Sequence, residues 1–222
     1  MITLKSAREI EAMDRAGDFL ASIHIGLRDL LKPGVDMWEV EEYVRRRCKE
    51  ENVLPLQIGV EGSIMDYPYA TCCSLNDEVA HAFPRHYILN DGDLLKVDMV
   101  LSEPIDKSVL DVSKLDFDNV AQVKKYTESY AGGLADSCWA YAIGTPSDEV
   151  KNLMEVTREA MYLGIEQAVV GNRIGDIGAA IQEYAESRGY GVVRDLVGHG
   201  DGPTMHEEPR SEERRVGKEC RS

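Results

Sequence analysis

Hydrophobic positions in the first fifty residues recur at helical spacing and predict two helices. The first opens at the capping box Ser6-Ala7-Arg8-Glu9, and Pro33-Gly34 ends it. The second begins near Asp36, a helix-capping residue type, with Glu39 three positions later. Their apolar sides consist of Ile10, Met13, Phe19, Leu20, Ile23 and Leu27 in the first helix, and Val40, Tyr43, Val44 and Cys48 in the second.

Shorter apolar runs then favour strands. They cover residues 68–75, 79–83, 93–101 and 134–143, and the turn Asn90-Asp91-Gly92 precedes the third. Helical periodicity returns after Pro146-Ser147-Asp148-Glu149 and predicts one helix to about Val169 and another over about 175–188. A last strand is predicted at 191–197.

The order of these elements repeats. Each half has a long helix, a glycine, a shorter helix and a strand, and matched positions lie 137 residues apart: Gly34 and Gly171, Met37 and Ile174, Glu39 and Asp176, Val40 and Ile177, Val44 and Ile181. Chance matching of apolar positions is the alternative. We infer an α+β fold of two pseudo-symmetric α-α-β halves around a central antiparallel sheet. Because the counterpart of the strand around Asp98 would extend past residue 222, the second half is expected to be truncated.

Residues 103–131 belong to neither half. They contain six acidic residues and four lysines, and a loop of this length is usually functional or disordered. We predict a solvated surface insertion rather than a binding element. Within it, Asp111 to Lys114 suggest a loop, and residues 119–130 suggest one helix.

Composition and charge narrow the function classes. The chain is 43 % hydrophobic and 29 % charged, with a formal net charge of −15, which disfavours nucleic acid and anionic membrane as partners. The N-terminus has no apolar signal region, and no run approaches the roughly 18 apolar residues of a membrane span. The five cysteines include no C-x-x-C pair. We therefore expect a cytoplasmic protein with free thiols.

Two acidic residues and three histidines are the candidate catalytic or metal-binding residues. Asp98 and Asp136 both lie in apolar strand contexts. A lone acid there is often only a solvent-facing residue of a strand in which polar and apolar residues alternate. On adjacent strands, however, two carboxylates suit a divalent cation. His199 stands between two glycines, and His81 and His206 also lie at predicted strand ends. Together they suggest one site.

At these residues the chain resembles the type I methionine aminopeptidases of peptidase family M24. The resemblance covers residues 1–210 apart from the insertion, which is similar to one in streptococcal members. The matching stretches are Asp66-Tyr67-Pro68, residues 73–84 (CSLNDEVAHAFP), residues 91–98 (DGDLLKVD), Ala135-Asp136-Ser137, Gly198-His199-Gly200 and residues 205–209 (MHEEP).

The resemblance implies the pita-bread (creatinase/aminopeptidase) fold and removal of the initiator methionine from nascent polypeptide N-termini, at the ribosome, by a monomer. It implies two divalent metal ions (Co, Mn, Fe or Zn) held by two aspartates, one histidine and two glutamates. Asp98, Asp136 and His199 match the metal ligands, with Asp136 bridging. His81 and His206 match the catalytic histidines that contact substrate. Cys72 or Cys73, and Tyr67, are expected near the methionine pocket.

The sequence also departs from this pattern. Both glutamate ligands would follow the HEEP motif, and Glu207 and Glu208 belong to the motif itself. Asp201 stands where the family has an apolar residue and is expected to disturb His199. Residues 211–222 are interpreted as a non-native tail, with a natural basic tail as the alternative. We therefore expect residues 1–210 to form an incomplete metallopeptidase domain of low or no activity. Two alternatives are a proline-directed peptidase or creatinase relative, and a non-catalytic pita-bread binding module.

Overall fold

The computed structural model describes residues 3–194, 196 and 198–210. The chain divides into two compact units. The larger unit contains residues 4–146 together with 201–205. The smaller unit contains residues 147–200 and continues from 206. The predicted tail at 211–222 lies outside the described residues.

Two helices open the larger unit, close to where the hydrophobic pattern predicts them. Helix α1 (Ala7–Leu30) has the predicted capping box: the Glu9 amide donates to the Ser6 hydroxyl, and the Ser6 amide donates to the Glu9 carboxylate at 2.7 Å. Helix α2 (Trp38–Glu50) begins two residues after Asp36, whose carboxylate accepts a hydrogen bond from the Trp38 amide at 3.1 Å. Asp36 therefore still satisfies an amide at the start of the helix.

An antiparallel sheet lies behind these helices. Its strands are β1 (Cys72–Leu75), β2 (Leu94–Ser102) and β3 (Leu134–Ala142), in the order β1-β2-β3. Alternate residues of β2 are fully buried and belong to the main hydrophobic core, namely Leu95, Val97, Met99 and Leu101. Helix α1 contacts β2 and β3. Because side chains alternate along a strand, the residues between them are on the opposite face of the sheet.

The strand predicted at 79–83 does not form. His81 has a φ of 60°, in the left-handed region that a strand residue cannot adopt. The segment nevertheless follows β1 through irregular contacts, since the Cys73 amide donates to the Ala82 carbonyl at 2.8 Å. The strand predicted at 68–75 is confirmed only from Cys72 onward.

The 103–131 segment is only partly solvated. It contains a 3-10 helix (Val112–Lys114) and helix α3 (Val120–Thr127), and four of its apolar side chains enter the main core: Val112, Leu115, Phe117 and Val123. The buried Asn52 side chain holds it in place, donating to the carbonyls of Ile105 and Leu110 and accepting from the Val112 amide.

The smaller unit contains helices α4 (Asp148–Glu166) and α5 (Ile174–Ser187) and the strands β4 (His199–Gly200) and β5 (Glu207–Arg210), which pair antiparallel. A Cβ atom on Gly164 would lie 2.7 Å from the Ile181 side chain, so glycine permits the close approach of α4 and α5. The strand predicted at 191–197 is absent at its described residues, 191–194 and 196. Among the described residues between α5 and residue 200, only residues 199–200 pair with another strand, which is β5.

The predicted repeat is visible in the backbone of each unit. Gly34 follows α1 with a φ of 93°, and Gly171 follows α4 with a φ of 103°. Both values lie in the region that glycine adopts readily. A shorter helix comes next in each unit. The predicted order of long helix, glycine and shorter helix is therefore confirmed in each unit, whereas the strand predicted at 191–197 is absent at its described residues.

Candidate metal centre

The two predicted aspartate ligands share one face of the sheet. Asp98 on β2 is paired with Cys138 on β3, and the next pair on that face joins Val100 to Asp136. Directly opposite residues in an antiparallel pair project to the same side, as do residues two apart on one strand. Asp98 and Asp136 are therefore diagonal neighbours on the face opposite the α1 packing surface.

Asp136 has a second carboxylate close by. Asp136 and Asp201, both in the larger unit, place carboxylate oxygens within 4.8 Å of one another. Asp98 does not belong to the group of donor atoms, among the described residues, that includes this pair and whose members all lie within 4.8 Å of one another. Two carboxylates at this separation repel each other, and a bound cation relieves that repulsion. The donor chemistry therefore fits a divalent metal that prefers oxygen ligands.

Asp201 was not recognised as a candidate ligand from the sequence. The expectation was that it would disturb His199. Its position between glycines, immediately after a predicted ligand, was the only available signal. The structure places Asp201 beside Asp136 in a group that could hold a metal ion, and the expected effect on His199 stays a prediction.

His199 and His206 lie together in the smaller unit. Their ring centroids are 4.5 Å apart at an interplanar angle of 64°. The β4–β5 pairing brings them together, because Gly200 is opposite Glu207. A Cβ atom at Gly200 would lie 2.9 Å from the Glu208 carbonyl oxygen, so the close pairing requires glycine here.

His81 is exposed, on the loop that follows β1. Its left-handed backbone, with a φ of 60°, is uncommon for a non-glycine residue and is often found at functional positions. Two hydrogen bonds fix the next residue: the Ala82 amide donates to the Ser74 hydroxyl at 3.3 Å, and the Ala82 carbonyl accepts from the Cys73 amide.

The two adjacent cysteines point in opposite directions. Cys72 is paired with Asp98 and lies on the aspartate face, where Gln57 Nε2 donates to its Sγ at 3.3 Å. Burial, with the Asp98 and Asp136 charges adding to it, raises the pKa of the Cys72 thiol to about 11. Cys73 is fully buried and belongs to the hydrophobic core. Of these two thiols, only Cys72 is on the side of the aspartates.

Tyr67 connects the loop before β1 with the loop after it. Its hydroxyl donates toward the Thr71 carbonyl at 3.0 Å and the Ala82 carbonyl at 3.4 Å. Burial and the nearby Cys72 thiol raise the pKa of the Tyr67 hydroxyl well above its usual value. Its ring meets the Phe83 ring edge to face, with centroids 5.2 Å apart. Tyr67 is therefore a neutral, fixed side chain next to Cys72.

A buried ion pair fixes the approach to β1. Glu41 on α2 is fully buried and accepts hydrogen bonds from the Arg45 guanidinium at 2.5 Å, the Ala70 amide at 2.8 Å and the Thr71 hydroxyl at 2.6 Å. Several donors on one buried carboxylate offset its desolvation. The network thus ties α2 to the residue immediately before Cys72.

Comparison with known proteins identifies the family of this chain. The model of metallopeptidase family M24 matches residues 11–102 and 125–220. The gap between the two matches lies inside the predicted insertion, and the second match continues into the predicted tail. Within the described part of the chain, no helix is long and apolar enough to cross a membrane.

Individual relatives agree with the family match. The methionine aminopeptidase of Clostridium acetobutylicum is 37 % identical over 210 residues, a match that spans 94 % of this chain and 72 % of that protein. A solved streptococcal methionine aminopeptidase, described as having a novel structural motif with possible post-translational modification, is 88 % identical with a TM-score of 0.86, covering 94 % of this chain and 73 % of its own.

More distant structures share only the fold. The X-Pro aminopeptidase of Thermotoga maritima is 20 % identical with a TM-score of 0.64 and is matched over 49 % of its length. The neighbours thus combine methionine aminopeptidases and proline-directed peptidases on one pita-bread architecture. The chain belongs to metallopeptidase family M24, and its methionine aminopeptidase relatives establish it as a metal-dependent hydrolase of that group.

Proposed function

We propose that the chain binds two divalent cations and hydrolyses the peptide bond after an N-terminal methionine. The observation that carries the proposal is the shared face of Asp98 and Asp136, with Cys72 and Tyr67 beside them. The proposed substrates are nascent polypeptides in the cytoplasm, processed by a monomer. The net charge of −15 supports a role without nucleic acid or membrane partners.

Asp98, Asp136 and His199 are the proposed metal ligands, and Asp201 joins them because of its closeness to Asp136. When bound, the cations would lower the pKa of water and polarise the scissile carbonyl. The proposed ions are Co, Mn, Fe or Zn, because carboxylate and imidazole ligands suit all of them.

The remaining side chains position the substrate. His206 is proposed to donate a hydrogen bond to the oxygen on which negative charge develops. His81 is proposed to donate to the departing amide nitrogen or its carbonyl. Cys72 and Tyr67 form one wall of the methionine pocket, because both are held on the aspartate side of the sheet by Gln57, Thr71 and Ala82.

Metal binding can be tested without requiring turnover of a substrate. Titration calorimetry with Mn²⁺ should show binding to the chain, and Asp136→Asn should lower the affinity by about 100-fold or more, since even outer-shell changes cost 10–100-fold. Asp29→Asn, at an exposed position on α1, is the matched control and should leave the affinity unchanged.

Peptide assays decide the specificity. With added Co²⁺ or Mn²⁺, we expect slow release of methionine from a Met-Ala-Ser peptide and none with Asp136→Asn. Preferential cleavage of an Ala-Pro peptide would favour a proline-directed peptidase. Metal binding without cleavage of either peptide would favour a binding module.

A further inference from the structure

Helix α3 holds the residue that precedes Tyr67 in the chain. The Lys124 ammonium on this helix donates to the Asp66 carboxylate at 2.8 Å. One turn later, the Thr127 hydroxyl donates to the Ile58 carbonyl at 3.1 Å. A single short helix therefore contacts both ends of the loop from residue 58 to residue 67, which we call the 58–67 loop.

The backbone of the 58–67 loop is fitted closely to α3. A Cβ atom at Gly59 would lie 2.7 Å from the Lys124 Cβ, so glycine permits this approach. The Gly59 amide donates to the Tyr67 carbonyl, and the Tyr67 amide donates to the Val60 carbonyl, both at 2.8 Å. Contact with α3 therefore fixes the part of the loop to which the Tyr67 backbone is hydrogen-bonded.

A second contact of the 103–131 segment lies on the other side of Tyr67. The Arg45 guanidinium donates to Asp118 at 2.6 Å and to the Pro68 carbonyl at 3.3 Å. Asp118 belongs to the same segment as α3. The segment thus contacts the residues on both sides of Tyr67, directly on one side and through one arginine on the other.

We propose that the 103–131 segment sets the specificity of the methionine pocket, with Lys124 as the positioning residue for Tyr67. The inference rests on the proposed function, in which Tyr67 and Cys72 form one wall of that pocket. A hydrophobic pocket distinguishes side chains that differ by one methylene by about 10-fold or more. Such discrimination requires a wall of fixed position, and the contacts of α3 fix this one.

The ion pair acts on the loop and contributes little to the overall fold. The side chains of Lys124 and Asp66 are 25 % and 36 % exposed, and ion pairs at the surface contribute little to the free energy of unfolding. Variants of this pair should therefore fold, which makes their effect on ligand binding interpretable.

Charge reversal with rescue tests the proposal. With Mn²⁺ present, calorimetry should show that Lys124→Glu binds L-methionine about 5-fold more weakly, whereas binding of L-alanine, whose side chain does not fill the pocket, should not change. Combining it with Asp66→Lys restores an ion pair and should recover most of the methionine affinity. Lys125→Glu, at the exposed next position of α3, is the matched control and should leave both affinities unchanged.

Hydrogen exchange follows the loop without any ligand. Peptic fragments that cover the 58–67 loop should take up deuterium about 5-fold faster in Lys124→Glu than in the unchanged chain, because opening the loop costs less free energy. Fragments of β2 should exchange at the same rate in both proteins.

The possible failures are distinguishable. Unchanged exchange in the 58–67 loop overturns the inference and leaves the proposed function standing. Faster exchange with unchanged methionine affinity also overturns it, since the loop then moves without effect on the pocket. A loss of affinity that the double variant does not recover overturns the role of the ion pair. If the unchanged chain binds L-methionine no more tightly than L-alanine, the proposed methionine specificity fails and the inference fails with it.

Discussion

At the scale of single residues, His24 controls how the back of β3 is packed. It is fully buried on α1, with its ring stacked on Trp139 at a centroid distance of 4.7 Å. The Tyr141 hydroxyl donates to the His24 carbonyl at 3.1 Å, so ring Nδ1 donates to the Tyr141 oxygen at 2.7 Å. Ring Nε2 lies 3.0 Å from the Ser137 hydroxyl and 3.3 Å from the Ser137 carbonyl oxygen. Burial favours the neutral ring over the charged one.

This neutral ring makes stability dependent on pH. Burial lowers the pKa of His24 from 6.5 to about 4. Between these values the unfolded chain binds more protons than the folded chain, so the free energy of unfolding falls as pH decreases through the window. The loss should be on the order of 3 kcal/mol by pH 4. Urea unfolding at several pH values, compared with His24→Gln, measures it. Equal pH slopes in the two proteins would contradict the prediction.

Residue-level chemistry was only partly predictable from the sequence. The aspartates were recognisable because an acid inside an apolar strand is unusual. The left-handed backbone of His81 and the closeness of Asp201 to Asp136 depend on tertiary contacts that no local pattern encodes. The choice between Cys72 and Cys73 likewise needed the register of β1 against β2.

At the scale of elements, local signals predicted helices better than strands. The Ser6–Glu9 capping box, the Pro146–Glu149 stretch and helical periodicity placed α1, α4 and α5 within a few residues of their observed bounds. Helices satisfy their own hydrogen bonds, whereas a strand forms only where a neighbour pairs with it. The runs at 79–83 and 191–197 have the composition of strands, and their described residues have no regular ladder.

The 103–131 segment should contribute measurably to stability. Phe117 is 2 % exposed and packs in the main core, with Lys49 over its ring at 5.0 Å. Phe117→Ala should lower the free energy of unfolding by about 3–5 kcal/mol. The control is Val109→Ala in the same segment, where the side chain is 79 % exposed and a change within about 0.5 kcal/mol is expected. Similar small effects in both variants would show that the segment does not stabilise the core.

At the scale of the whole molecule, the two units differ in how much apolar surface they bury. The main core comprises residues of the larger unit alone. In the smaller unit, the described buried hydrophobic residues are Val156, Ala160 and Ala185, whereas large side chains such as Ile165 and Tyr162 are exposed. Burial of apolar surface supplies most of the favourable free energy of folding. The helices of the smaller unit are therefore stabilised by less buried apolar surface.

Hydrogen exchange should therefore separate the units. Amides in the middle of α4 and α5 should exchange faster than those in α1 and β2, since opening a weakly packed unit costs less free energy. Mass spectrometry of peptic fragments after timed deuterium labelling measures the difference. Equal protection across both units would mean that they unfold as one cooperative body.

The stack of His24 on Trp139 also provides a built-in optical signal. A protonated imidazole in van der Waals contact with an indole quenches its fluorescence, and Trp139 lies on the same strand as Asp136. In a Trp38→Phe background, Trp139 is the sole emitter, since the sequence has two tryptophans. Its emission reports on the rear surface of the strand that carries Asp136, a proposed metal ligand, without any attached probe.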